Sequence, residues 1–209
     1  MLTADCGNCF GAGQQVSQLT FGGHDWRSAP HTAVQMFAVF PIMRALHELL
    51  YYLQGALDLV PEGAVHDALA TVSADVERQT RTAPEALLAI DVAISRDDVN
   101  PLLLQASEFV RAGRPAHTVD HRGVDLIGAD LRGTDLRWAD VTGADLRAAD
   151  LRGADLRDAL FLAQSQLDAA KGDADTMLSD GLARPSHWSR SRFRTAAVRR
   201  RAAADRIRA

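Results

Sequence analysis

Between residues 119 and 163 the chain repeats nearly the same five letters, and this period constrains the fold more than any other feature. Seven consecutive pentads from Val124 to Asp158 read VDLIG, ADLRG, TDLRW, ADVTG, ADLRA, ADLRG and ADLRD. The degenerate pentads VDHRG and ALFLA flank them, so that nine pentads fill residues 119–163. A period of five matches neither the alternation of a flat strand nor the 3.6-residue turn of a helix. Self-similarity at a fixed short period indicates a solenoid of stacked units.

Every pentad has the same order of residue types. A small residue comes first, Asp second and an apolar residue third, followed by two positions that are mostly polar, charged or glycine. The third position predicts a continuous apolar core inside the solenoid. Its members are Leu126, Leu131, Leu136, Val141, Leu146, Leu151, Leu156 and Phe161.

This pattern resembles the bacterial pentapeptide repeat family, whose consensus is Ala-(Asp/Asn)-Leu-x-x. The resemblance implies a right-handed, four-sided β-helix with one pentad on each side and twenty residues in each coil. It also implies that the central Leu points inward, so that Leu126 stacks on Leu146 and the following columns keep the same register. Nine pentads make two and a quarter coils, and a solenoid this short needs both of its open ends covered. Residues 164–183 are the expected C-terminal cap and begin with a short predicted helix.

The first half of the chain carries helical signals. Apolar residues recur at spacings of three and four from Ile42 to Leu57, which predicts one buried helix face. Residues 31–114 are therefore predicted to form an α-helical domain of four or five helices, which covers the other end of the solenoid. An irregular segment over residues 1–30 precedes it, with one short strand predicted at Val16–Phe21. The predicted fold class of the whole chain is α+β.

Prolines and one capping pattern mark the expected helix boundaries. Pro41, Pro61 and Pro101 are each predicted at a helix start, where a missing backbone N–H is tolerated. Thr82 and Glu85 have the spacing of a capping box, in which two side chains satisfy backbone N–H groups of the first turn.

Composition and charge exclude several functional classes. The chain is 47% hydrophobic and 24% charged, which is ordinary for a globular protein. The longest uncharged run, Ala29–Met43, is too short for a membrane span and contains two prolines. The N-terminal residues do not have the pattern of a secretory signal. These features predict a cytoplasmic protein without membrane contact. The sequence has no catalytic or cofactor-binding motif, so we do not predict an enzyme.

The outward positions of the pentads are the candidate interaction surface. Like charges are expected to stack from coil to coil, with each column relieved by a neighbouring column of opposite sign. Trp138 is the largest outward residue and a candidate anchor for a protein partner. The candidate residues are Asp130, Arg132, Arg137, Trp138, Asp150 and Arg152. The predicted function is a non-enzymatic protein-interaction or scaffold module.

The resemblance implies one alternative function, because some members of the family protect or inhibit DNA gyrase with long acidic solenoids that resemble duplex DNA. Duplex DNA carries one charge per ~1.7 Å of axis. Two coils offer roughly 10 Å of axis at the usual strand spacing. Residues 119–163 also carry six Arg against nine Asp. So short and balanced a surface favours the interaction module over a DNA-mimicking gyrase regulator.

Cys6 and Cys9 carry a second alternative, a metal or redox protein, because they have the spacing of zinc-binding and redox-active pairs. His24 is a nearby candidate ligand, but a zinc site needs four ligands and no second cysteine pair exists. We therefore predict no metal ion or other cofactor.

The last feature is an Arg-rich tail over residues 184–209, with nine Arg against one Asp. Such a tail is expected to be a solvated, partly helical segment that folds back on the acidic body. The alternative is weak nucleic-acid binding, which would be salt-sensitive and independent of base sequence. The candidate contact residues are Arg190, Arg192, Arg194, Arg199, Arg200 and Arg201.

Overall fold

The computed structural model describes residues 10–112, residue 114 and residues 119–188. The chain divides into two compact units, Met1–His117 and Thr118–Ala209. The first unit is helical and the second contains the pentads. Each unit has its own buried apolar residues.

The first unit is built around one long central helix. A short helix, α1 (Ala12–Gln14), continues into a π-helical turn at Gln15–Thr20. The main helices are α2 (Ala33–Leu59), α3 (Ala64–Thr80), α4 (Pro84–Leu88) and α5 (Val92–Arg111), with a 3₁₀ turn at Pro30–Thr32 before α2. Helix α2 contacts each of the other three main helices. The largest fully buried side chains of this unit include Met43, Leu46, Leu53, Leu69, Leu87 and Leu103.

Two of the three prolines expected at helix starts lie inside helices. Pro41 is within α2 and Pro101 is within α5, so the helix starts predicted at these positions are wrong. Both prolines are exposed, and on either side of Pro41 the side chains of Val39 and Met43 are fully buried. Burial of the flanking turns on one core outweighs the ~3 kcal/mol that an interior proline costs a helix. Helix α3 begins at Ala64, three residues after Pro61.

Two smaller sequence-based expectations also fail. The strand predicted at Val16–Phe21 is wrong because Gln15–Thr20 is helical, and its buried Val16 belongs to a segment that packs on α2. The capping box is wrong because α4 begins at Pro84, which makes Ala83 the residue before the first turn. The hydroxyl of Thr82 donates instead to the Gln79 carbonyl at 2.8 Å.

Helix α2 also bears on the expectation of no membrane contact. Together with the preceding turn, the segment Pro30–Leu59 is long and apolar enough to cross a membrane, with a mean hydropathy of 1.3. The core helix of a soluble protein can have the same length and the same apolar composition. The expectation that the chain makes no membrane contact therefore stays a prediction.

In the second unit the chain pairs with itself every twenty residues. Five isolated parallel β-bridges join residues twenty apart, beginning with Asp120 and Asp140 and ending with Asp140 and Leu160. Leu131 N donates to the Asp150 carbonyl at 3.0 Å, and Asp150 N donates to the Ala129 carbonyl at 2.9 Å. Each bridge is one residue long, and within residues 119–188 no longer strand forms. Four pentads therefore make one coil.

The third positions of the pentads converge on one apolar cluster. Leu151 and Leu156 are fully buried, whereas Leu126 and Leu131 in the first coil are only partly covered. The remaining predicted core residues in the cluster are Leu136, Val141 and Leu146. The last pentad differs from the others. Phe161 is buried with a φ of 61°, but the residue of this pentad that belongs to the apolar cluster is Leu162.

The C-terminal end of the cluster is covered by helix α6 (Gln164–Ala169). Leu167 is fully buried in the cluster, and the Gln166 amide donates to the carbonyls of Val141 and Ala144, each at 2.9 Å. The bond to Ala144 supplies a donor to a carbonyl at the end of a coil. The Val141 carbonyl also accepts from Ala144 N at 3.0 Å. Trp188 also belongs to the cluster, although residue 184 was the expected start of a solvated tail.

Candidate functional site

The repeated Asp side chains form the first part of the candidate surface by holding the backbone turn that follows them. The carboxylate of Asp130 accepts the backbone N–H of Arg132 at 3.3 Å, and Asp125 accepts that of Ile127 at 2.9 Å. The same bond recurs in every pentad from Asp120 to Asp155. Asp is suited to this position because its short side chain bonds the backbone two residues on. The Asp at the second position is therefore a structural requirement of each turn.

The Arg side chains form the second part of the surface by returning to the same carboxylates. Arg132 Nε donates to one oxygen of Asp130 at 2.7 Å, and Nη2 donates to the other oxygen at 2.6 Å. Two parallel N–H···O bonds are the strong, geometrically defined form of this interaction. The same fork joins Arg137 to Asp135, Arg152 to Asp150 and Arg157 to Asp155.

Weaker contacts connect these pairs from coil to coil. Arg132 Nε lies 3.9 Å from Asp150 Oδ2, and Arg137 Nε lies 3.7 Å from Asp155 Oδ2. Asp130 bridges to Asp150 and Asp135 bridges to Asp155. Two successive columns of the solenoid therefore carry the same Asp-x-Arg pair in both coils. We call these eight residues the Asp–Arg ladder: Asp130, Arg132, Asp135, Arg137, Asp150, Arg152, Asp155 and Arg157.

The Arg side chains of the ladder lower the pKa values of three of its carboxyl groups. Hydrogen bonds from the Arg132 guanidinium and backbone lower the pKa of Asp130 from 3.8 to about 2. The corresponding Arg side chains lower the pKa values of Asp150 and Asp155 in the same direction, against the opposing effect of partial burial. These three carboxyl groups are therefore ionised near neutral pH, and each has a guanidinium as its partner.

Asp140 departs from this pattern and is fully buried. Its pentad has Thr142 where the others have Arg, and the Thr142 hydroxyl and N–H donate to Oδ1 at 2.5 and 2.9 Å. The missing cation comes from the preceding coil, where Arg122 Nη2 donates to Asp140 Oδ2 at 3.1 Å. The only sequence signal for this pair is the absence of Arg from the pentad ADVTG.

Trp138 does not project freely from the ladder. Its side chain is half-buried, it makes contacts within the structure, and its backbone φ is 64°. The same left-handed conformation occurs at the fifth position of every other pentad up to Asp158, where glycine is the commonest residue. Trp138 is thus a large residue at a corner that favours glycine.

Several predicted site residues fall outside this surface. Cys6, Cys9 and the tail residues Arg190, Arg192, Arg194, Arg199, Arg200 and Arg201 lie outside the described residues. His24 is exposed. Among the described residues, no group of three or more His, Cys, Asp or Glu side chains is placed to hold a metal ion. The metal or redox alternative therefore has no structural support from this part of the chain.

The sequence analysis missed a cluster of residues at the C-terminal end of the second unit. Asp173 is buried, and one of its oxygens accepts N–H groups from Gly153, Asp175 and Thr176 at 3.0–3.1 Å. The Arg184 guanidinium donates to the carbonyls of Asp173 and Thr176. None of these residues except Gly153 belongs to a pentad. The only sequence signal was the number of Asp residues in the segment 164–183 that follows the repeats.

The twenty-residue pairing, the Asp-held turns and the apolar third positions define a protein built from stacked pentapeptide coils. A family model for pentapeptide repeats matches eight copies in residues 122–161. A protein of Bacillus subtilis (strain 168), described as the uncharacterized protein YybG, is 48% identical in an alignment of 203 positions that covers 86% of this chain and 73% of the relative. The chain belongs to the pentapeptide repeat family. No solved structure matches it significantly.

Proposed function

We propose that this chain is a non-enzymatic protein-interaction module, and that the Asp–Arg ladder is its binding surface. The repeat unit is then a right-handed, four-sided β-helix, as the family resemblance implies, and the bridges between residues twenty apart support this geometry. The observation that carries the proposal is the recurrence of one bidentate Asp-x-Arg pair in two successive columns and two coils. Such a surface is rigid and periodic before any partner arrives.

Rigidity matters because a partner that binds flexible side chains has to order them. Immobilising a long side chain costs about 0.5–1.5 kcal/mol on binding. Arg132 and Arg137 are each about half exposed, at 56% and 47%, yet their guanidinium groups are already held by Asp130 and Asp135. Arg is also enriched at protein interfaces, where its planar head group offers five donors. The ladder therefore offers ordered donors at a low entropic cost.

The same pairing argues against a DNA-mimicking gyrase regulator. A mimic needs unpaired negative charge along its surface, as duplex DNA has. Here each carboxylate of the ladder is matched by its own guanidinium. A partner of the ladder therefore meets alternating charges and is expected to carry both acidic and basic side chains.

The experiment compares two variants in affinity capture from the host lysate. The double variant R132Q/R152Q removes the cations of one ladder column and keeps the Asp-to-backbone bonds that hold the turns. R147Q is the matched control, because Arg147 also pairs with the Asp two positions before it, with Nε 2.9 Å from both oxygens of Asp145, but lies outside the ladder and has a side chain that is 68% exposed.

We expect one partner to be captured by wild-type protein and by R147Q, and to be lost with R132Q/R152Q. That partner, once purified, should bind wild-type protein directly with at least tenfold higher affinity than it binds the double variant. Equal binding to both variants would show that the ladder is not the interaction surface. Inhibition of purified gyrase supercoiling by the wild-type protein would favour the DNA-mimic alternative instead.

A further inference from the structure

A pocket of about 270 Å³ lies at the C-terminal end of the repeat unit, beside the ladder pair formed by Asp150 and Arg152. Its lining residues are Asp150, Arg152, Lys171, Gly172, His187 and Trp188. Lys171 is the only lysine in the chain, in which all other basic residues except histidine are arginine. Pockets for drug-sized ligands usually measure 300–1,000 Å³, so this smaller pocket has room only for a correspondingly smaller molecule.

Lys171 continues a ladder column with the opposite charge. It forms a parallel bridge with Asp150, its N–H donates to the Ala149 carbonyl at 2.8 Å, and its carbonyl accepts from Leu151 N at 2.7 Å. In the two coils before it, this column position is held by Asp130 and Asp150. The third coil thus places an ammonium where the repeat places a carboxylate.

Within the part of the chain that the structure describes, the Lys171 ammonium has no acidic side chain within salt-bridge distance. Two residues further on, Asp173 is buried and its carboxylate accepts N–H groups from the backbone. Asp150 is held by the fork of Arg152. The pocket lining therefore carries two cations against one carboxylate, and the excess charge is one positive unit.

The aromatic residues of the pocket lining are fixed in place. His187 Nε2 and Trp188 Nε1 both lie within hydrogen-bond distance of the Ala170 carbonyl, at 3.0 and 3.1 Å. The Trp188 ring packs on Gly172 so closely that a Cβ at that position would lie 2.3 Å from the ring. Because a carbonyl only accepts, both rings donate to it, and their orientation is set before any ligand binds.

We infer that this pocket binds a small organic monocarboxylate, with its carboxylate on Lys171 and Arg152 and its apolar body against Trp188. The charge excess of one matches a single negative charge, and the Asp150 carboxylate disfavours a second one. Asp150 accepts hydrogen bonds from only Nε and Nη2 of the Arg152 guanidinium. The other N–H groups of Arg152 are therefore left to donate to a ligand. The Trp188 wall selects a ligand with an apolar body over a bare ion.

The single lysine allows a direct test with benzoate as the probe. Reductive methylation with ¹³C-formaldehyde gives one lysine resonance in the full-length protein, besides that of the α-amino group. We expect benzoate to shift the Lys171 resonance saturably, and benzyl alcohol and sodium chloride at equal concentration to leave it in place. A shift that rises linearly without saturation, or equals that of chloride, would overturn the proposal.

Variants then assign the binding by calorimetry on unmodified protein. K171M keeps the length of an exposed side chain and removes its charge, and we expect it to weaken benzoate binding at least tenfold. R147Q is the matched control, because Arg147 also pairs with the Asp two positions before it but lies outside both the ladder and the pocket, and we expect it to leave benzoate affinity unchanged. Equal affinity of K171M and wild type would refute the site. Tighter binding of inorganic phosphate than of benzoate would refute the carboxylate class.

Discussion

The left-handed corners of the solenoid yield the sharpest prediction. The fifth position of all eight pentads between residues 119 and 158 has a φ between 58° and 69°, and three of the eight residues are not glycine. Ala148, with a φ of 58°, is exposed, so that removing its methyl group loses little burial. A Cβ added to Gly143, which has a φ of 63°, would have no atom within 4 Å, so that a methyl group meets no clash there. The two sites therefore isolate backbone strain.

The magnitude follows from two opposing effects. A Cβ in the left-handed region costs about 1–2 kcal/mol. Glycine makes the unfolded chain more flexible and so costs about 0.4–1 kcal/mol of stability. We therefore expect Ala148→Gly to raise the free energy of unfolding by about 0.5–1 kcal/mol, and Gly143→Ala to lower it by a similar amount.

Urea unfolding of the full chain, followed by tryptophan fluorescence and circular dichroism, measures both changes. The repeat unit contains Trp138 and Trp188, whose fluorescence reports its transition. The pair of variants is its own control, because the same two residue types are exchanged in opposite directions at equivalent positions. If both variants shift the midpoint in the same direction, or Ala148→Gly destabilises the unit, the strain argument is refuted.

Three further predictions test the core, the buried ion pair and the ladder. Leu151 is fully buried, so that Leu151→Ala should cost about 2–5 kcal/mol of unfolding free energy by urea denaturation. Asp140→Ala should cost about 3 kcal/mol in the same assay, because it leaves the largely buried Arg122 without its carboxylate. The pKa of Asp130 is lowered to about 2, so its pairing stabilises the folded state above pH 3.8 and that stabilisation is lost as the pH falls through about 2. Carboxyl NMR titration should show this pKa returning toward 3.8 in Arg132→Gln, and an unchanged value would contradict the assignment.

The repeat unit was more predictable from sequence than the helical unit, for a physical reason. Every pentad restates the same local requirements, so that one misread residue changes little. The last pentad shows the limit: Leu160 stands where Asp holds the turn elsewhere, and the cluster takes Leu162 instead of Phe161. In the helical unit, Pro41 read alone predicts a break. Whether it causes one depends on the burial of Val39 and Met43, which no local pattern contains.

The candidate site divides in the same way. The pairing of Asp130 with Arg132 depends on two residues two positions apart, so a sequence can indicate it. The pair formed by Arg122 and Asp140 spans eighteen positions and exists only because one coil lies on the next. The pocket at Lys171 is harder still to find. The spacing of the bridges changes there from twenty residues to twenty-one and twenty-two, and the repeat no longer gives the register.

Asp and Arg have different structural roles in the ladder, and this difference indicates which substitutions can change the surface without loss of the fold. Each Asp is committed twice, to the backbone N–H of its own turn and to a guanidinium, whereas each Arg meets only carboxylates. Substitutions of Arg therefore alter the surface charge and leave the turns intact. Residues 119–163 carry six Arg against nine Asp, so exchanging the four Arg of the ladder for Gln would change the net charge of this segment from −3 to −7. Under the proposed function, charge balance and not the coil itself distinguishes the ladder from a surface that imitates DNA.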